Sequence, residues 1–149
     1  MSTLADPNGR TDCHTRLVRL TATTERKWGR MTAHQMVCHL NDAFAVAAGK
    51  KQASSIANPL SRTLVKWIAL RTPMQWPHGI KTMPEVEQGV GGTPPNDWER
   101  DCAQLSANIA EFADHATYAA HPMFGELSRR DWHTWGYRHV DHHFRQFGV

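Results

Sequence analysis

Trp98, Cys102, Leu105, Ile109 and Phe112 recur at intervals of three and four residues, while Glu99, Asp101, Gln104, Asn108 and Glu111 fall between them. That spacing holds one apolar face for four helical turns. The same period runs through Met36, His39, Leu40, Ala43, Phe44 and Ala47, and again through Trp132, Gly136, His139, His143 and Phe147. Almost nothing in the chain alternates with strand period, so the pattern predicts an all-α fold of four long helices and one short one.

Punctuation sets the expected boundaries. Thr32 with Gln35 forms a capping box that opens the second helix, and Gly49 closes it. Asn58-Pro59 reads as a cap followed by proline at the first helical position. It opens a short helix to about Leu70 whose Leu60, Leu64, Trp67 and Ile68 form the apolar face. Asn96 is a cap for the fourth helix, and Ser128 with Asp131 opens the last one, which runs to about Gln146. The first helix is modest, spanning residues 11–24, with residues 1–10 as a loose N-terminal arm ending in a turn at Asp6-Pro7-Asn8-Gly9. Between the third and fourth helices, residues 71–95 carry Pro73, Pro77, Pro84, Pro94 and Pro95 with Gly79, Gly89, Gly91 and Gly92. No helix survives that punctuation, and a loop this long in a compact domain is often functional. At 149 residues, 1–149 is expected to form one domain.

Composition narrows the function. The net charge of +3 is spread along the chain, so no basic footprint for nucleic acid is visible. The apolar runs are too short to span a bilayer, and no membrane partner is expected. Three cysteines, Cys13, Cys38 and Cys102, without paired spacing suggest no disulfide framework, and a reducing cytoplasm is the expected compartment. The histidines stand out: there are ten, four of them within the last 17 residues.

His139 and His143 are four residues apart, which places both imidazoles on one face of a helix, one turn apart, as a helix presents two ligands to one metal ion. His39, mid-helix on an apolar stripe, is the best candidate for a third. Taken alone, a histidine on an apolar face is more often a hydrogen-bonded core residue, and an H-x-x-x-H pair also arises by chance. His142 is a rival ligand, better read as lying at the rim. Asp42 and Asp141 are candidates to orient ligand imidazoles, or are solvated carboxylates. Arg145 is a candidate to bind a carboxylate, or a surface ion pair. Trp28, Trp132 and Trp135 are candidate pocket walls, with Trp132 the one best assigned to the core. Cys38 points away from His39 around the helix and reads as a small core residue. His34 reads as exposed.

The blocks WGRMTAHQMVCHLNDA (Trp28 to Ala43), HPMFGELS (His121 to Ser128) and YRHVDHHFRQFG (Tyr137 to Gly148) resemble a bacterial domain-of-unknown-function family within the DinB/YfiT-like superfamily. The resemblance implies a four-helix bundle in an up-down-down-up arrangement. It further implies a divalent metal, zinc or nickel, held by His39, His139 and His143, and it puts His121 at the pocket mouth. Characterised members of the superfamily include thiol-dependent S-transferases and isomerases. A metal-dependent enzyme of S-transfer type, acting on a small-molecule substrate with a low-molecular-weight thiol, is therefore the leading expectation. A non-catalytic bundle binding metal or a ligand, and a metal-dependent hydrolase, are the alternatives. Three neutral imidazoles would leave the ion its full charge and an open position, so a bound water or thiol would be the nucleophile. Oligomeric state stays open between monomer and a homodimer formed through helix faces.

Overall fold

The computed structural model describes residues 1–149. It is all-helical, with five helices and no strands: α1 (Pro7–Leu17), α2 (Ala33–Ala47), α3 (Lys66–Arg71), α4 (Trp98–Glu111) and α5 (Arg129–Gln146). A π-helical turn, Ser61–Val65, runs straight into α3, and single 3-10 turns lie at Pro84–Val86 and Phe112–Asp114. α2 packs on α4, α1 on both α4 and α5, α2 on α5, and α3 on α5. The shared core includes Met36, Leu40, Phe44, Leu105, Ile109, Phe112, Trp132 and Phe144. Each such side chain, when fully buried, contributes about 1.5–3 kcal/mol of transfer free energy. No helix is long and apolar enough to cross a membrane.

The two helices that carry the histidines start on capped termini. At α2 the Gln35 N–H donates to Thr32 Oγ1 at 3.2 Å while the Thr32 N–H donates to Gln35 Oε1 at 2.9 Å, a complete capping box. At α5 the Asp131 N–H donates to Ser128 Oγ at 3.1 Å, and the Ser128 hydroxyl in turn donates to the Asp131 carboxylate at 2.8 Å. For α4 the cap is Asp97 rather than Asn96, accepting from the Arg100 N–H at 3.0 Å. The Asn96 N–H instead reaches Asp101 at 3.4 Å.

Residues 1–10 are not a loose arm. Asp6 caps α1 by accepting from the Asn8 N–H at 2.9 Å, and Pro7 occupies the first helical position, where its missing N–H costs nothing. Leu4 is fully buried, and its N–H donates to the His133 carbonyl at 3.0 Å. Gly9 belongs to the helix because of a close approach: a Cβ there would sit 2.2 Å from the Thr3 carbonyl oxygen. The first helix thus begins four residues earlier than its apolar spacing suggests and ends at Leu17.

The third segment also differs. Leu60, Leu64 and Trp67 face outward, 59%, 52% and 58% exposed, while Leu70 and Ser61 are buried. A polar anchor sets this orientation. The Ser61 hydroxyl donates to the Met123 carbonyl at 2.6 Å, and Asn58 caps the turn by accepting from the Ser61 N–H at 3.0 Å.

Candidate metal centre

His39 leaves the middle of α2, and His139 and His143 leave successive turns of α5, where α2 and α5 pack together. His39 is 4% exposed, His143 is 7% exposed and His139 is half-buried. His139 Nε2 and His143 Nε2 lie 3.1 Å apart. The His39 ring centroid is 4.7 Å from that of His143 and 5.4 Å from that of His139. One ring nitrogen from each of the three lies within 4.8 Å of the others. Nitrogens bound to one tetrahedral zinc at about 2.0–2.1 Å stand about 3.3 Å from each other, so the His139–His143 pair is already near ligating separation.

The outer nitrogens orient these rings. His39 Nδ1–H donates to the Val86 carbonyl at 2.9 Å, and His143 Nδ1–H donates to Gln146 Oε1 at 2.7 Å. With the proton held on Nδ1, each ring turns an unprotonated Nε2 inward, as outer hydrogen bonds do for metal-binding histidines. Burial pushes all three imidazoles below the ordinary histidine range, and the neighbouring histidines push His139 and His143 down further. With its proton on Nδ1, His143 Nε2 accepts from the His139 Nε2–H at 3.1 Å. Three neutral imidazoles therefore converge, and once the His139 proton sits on Nδ1 this donor set fits a divalent zinc- or nickel-type ion.

The three rings line a cavity of about 640 Å³ whose other walls include Ala43, Val46, Ile68, Met83, Phe124 and Trp135. His121 also lines it. Its Nδ1 accepts from the N–H groups of Met123 and Phe124 at 3.1 and 3.2 Å. That fixes the proton on Nε2, and burial lowers the His121 pKa to about 3, so the ring is neutral. It stacks on Phe124 with ring centroids 4.6 Å apart and meets Trp135 edge-on at 5.3 Å. Trp135 lies 4.8 Å from His139. Trp132, 1% exposed, is a core residue whose edge reaches the same cavity.

The remaining candidates separate. His142 stands in the wall between this cavity and an adjoining hollow of about 400 Å³, with burial and then His78 lowering its pKa to about 4. Trp28 lines only the adjoining hollow, stacked on His78 at 3.7 Å with His142 at its edge. Arg145 belongs to that hollow too and pairs with Asp141 at 3.0 Å along α5. Asp141 also pairs with Arg16 at 2.9 Å and makes no bond to an imidazole.

Asp42 is neither solvated nor an orienter of a ring. It is buried, accepts from the Thr93 N–H and hydroxyl at 2.7 and 2.6 Å, and pairs with Lys51 at 2.9 Å. It therefore ties the end of the 71–95 loop to α2. His34 is not exposed either: its side chain is 16% accessible and its Nε2 lies 2.8 Å from Asp101. Two groups that hold the site went unread in the sequence, Gln146 and the Val86 carbonyl. The first had a signal, since a residue three beyond His143 shares its helical face. The second is a backbone atom in a loop and had none.

Residues 4–148 match a family described as "Protein of unknown function (DUF1569)". No curated protein and no solved structure matches the chain.

Proposed function

The chain belongs to this DUF1569 family, over nearly its whole length, and from that premise we propose that it is a divalent-metal-dependent enzyme of the DinB-like superfamily, built on a four-helix bundle of α1, α2, α4 and α5. His39, His139 and His143 hold the ion, zinc or nickel. The observation that carries this reading is the pair of Nδ1 hydrogen bonds to Val86 and Gln146, which leave the Nε2 atoms of His39 and His143 free to face the Nε2 of His139.

When bound, such an ion supplies Lewis-acid activation of a thiol or a water at neutral pH. The protein's own groups do the rest. The three rings bring no negative charge, so the ion keeps its full charge for the nucleophile. The apolar walls exclude water and select an apolar small molecule as the acceptor substrate. Transfer of a low-molecular-weight thiol onto that acceptor is the leading reaction, with the reducing cytoplasm as the compartment suited to three free cysteines. Hydrolysis is the second reading, and His121 favours it. A neutral imidazole that keeps its Nε2–H in the cavity suits a carbonyl oxygen gaining negative charge.

Elemental analysis of protein purified without chelator tests the metal assignment. His143→Ala is expected to lower the metal content by about one ion per chain. A content unchanged by that substitution overturns the assignment. Incubating the metal-loaded protein with thiols plus apolar electrophiles, and separately with apolar esters, distinguishes the two reactions.

A further inference from the structure

A second cluster of metal-ligating side chains forms where α2 meets α4. His34 and Cys38 lie one turn apart on α2, and Asp101 lies in the first turn of α4. Asp101 Oδ2 is 2.8 Å from His34 Nε2 and 3.5 Å from Cys38 Sγ. The three candidate ligand atoms all fall within 4.8 Å of one another. Cys38 is buried, whereas the side chains of His34 and Asp101 are 16% and 17% exposed, so an ion has a path from solvent.

We propose that His34, Cys38 and Asp101 form a second divalent-cation site, distinct from the three-histidine centre, that takes a zinc-type ion. The donor set carries the identity of the cation. Imidazole nitrogen with thiolate sulfur and one carboxylate suits zinc, whereas calcium and magnesium demand oxygen ligands. On binding, Cys38 forms a metal–sulfur bond and releases its thiol proton to solvent, His34 offers a ring-nitrogen lone pair, and the Asp101 carboxylate supplies oxygen. One thiolate and one carboxylate cancel the charge of the ion, which favours it in a half-buried seam. By contrast, the three-histidine centre leaves that charge uncancelled beside a substrate-sized cavity. The two sites therefore divide the labour: one ion is exposed to substrate, and the other ties α2 to α4 at Cys38, the residue next to His39.

Cobalt titration of the full chain, stripped by chelator and kept reduced, tests this directly. A thiolate ligand gives cobalt a near-ultraviolet charge-transfer band that imidazole ligands alone do not give. The wild-type chain is expected to take up about two cobalt ions and to develop that band. Cys38→Ser should lose the band and about one ion, while His143→Ala keeps the band and loses the other ion. Asp101→Asn, at the partly exposed edge, should weaken the band-forming site by about ten-fold or more. No band in the wild type overturns the proposal, as does a band unchanged in Cys38→Ser. Because the band reports only a sulfur ligand, failure at this site is distinguishable from failure at the three-histidine centre.

Discussion

His143 Nδ1 and Gln146 Oε1 lie 2.7 Å apart, one turn along α5, and the backbone at Gln146 is held in turn because its main-chain carbonyl accepts from the Lys27 N–H at 2.6 Å. The bond sets which nitrogen of His143 faces inward. Gln146→Ala should therefore weaken metal binding by about 10–100-fold, and leaving the buried Nδ1–H unpaired should cost about 1–3 kcal/mol. Gln146→Glu, which keeps an acceptor, should retain most of the affinity. Competition against a chromophoric chelator measures both. Equal affinity in Gln146→Ala and wild type removes the orienting role.

A second prediction concerns pH. His121 is neutral in the folded chain down to about 3 but takes a proton near 6.5 when unfolded. Its folded pKa is depressed, so below 6.5 the unfolded state binds the extra proton and stability falls as pH falls. One such group removes about 1.4 kcal/mol per pH unit across that window and nothing above it. Chemical denaturation of chelated protein at pH 7 and pH 5.5 should show the loss. His121→Gln should show a smaller loss over the same interval, and an equal loss in both proteins would reject the assignment.

Asp42 should behave as the clasp of the long loop. Asp42→Ala strands Lys51 and releases Thr93, so we expect about 1–3 kcal/mol of destabilisation and faster amide exchange near residues 87–95. Thr93→Val removes only the hydroxyl contact and keeps the N–H bond and the Asp42–Lys51 pair, so it should raise the exchange less than Asp42→Ala and cost less stability. Exchange confined to other segments would contradict this.

Gly136 lets α5 approach its neighbours: a Cβ there would lie 2.8 Å from Leu4 Cδ1 and 2.9 Å from Phe112 Cε1. Gly136→Ala gains about 1 kcal/mol of helix propensity but overpacks the core by about 1–3 kcal/mol, for a net loss. Leu4→Ala alone should cost about 2–5 kcal/mol. The double substitution should cost less than the sum, because the smaller residue at 4 makes room for the new methyl. Strict additivity in a double-mutant cycle would mean the two side chains do not meet.

The outward side of the third segment gives a contrasting case. Leu64→Ser and Trp67→Ser, at exposed positions, should each change stability by about 0.5 kcal/mol or less, whereas Leu70→Ala should cost about 2–5 kcal/mol. Thermal melting of the three variants checks the orientation.

The sequence disclosed what helical period and local capping control. Thr32, Gln35 and Ser128 marked their helix starts, and the stripe through Leu105, Ile109 and Phe112 is the buried face of α4 and the turn after it. His39, His139 and His143 could be picked out because two share a helical face and the third interrupts an apolar one. What stayed hidden depended on partners distant in the chain. The apolar residues of the third segment carry a helical period, but the Ser61 bond to Met123 decides which way they turn. Asp42 looks like any solvated carboxylate until Thr93 and Lys51 close over it.

The carbonyl of Val86 lies in the proline- and glycine-punctuated stretch, yet it steadies the ring of His39. Anyone who swaps that stretch for a relative's, hoping to change what the cavity accepts, will also release one of the three inward-facing nitrogens. Under the proposed metal assignment, the shape of the cavity and the hold on an ion are thus tied to one peptide unit, and a graft that spares residues 84–86 is the version that keeps the two separable.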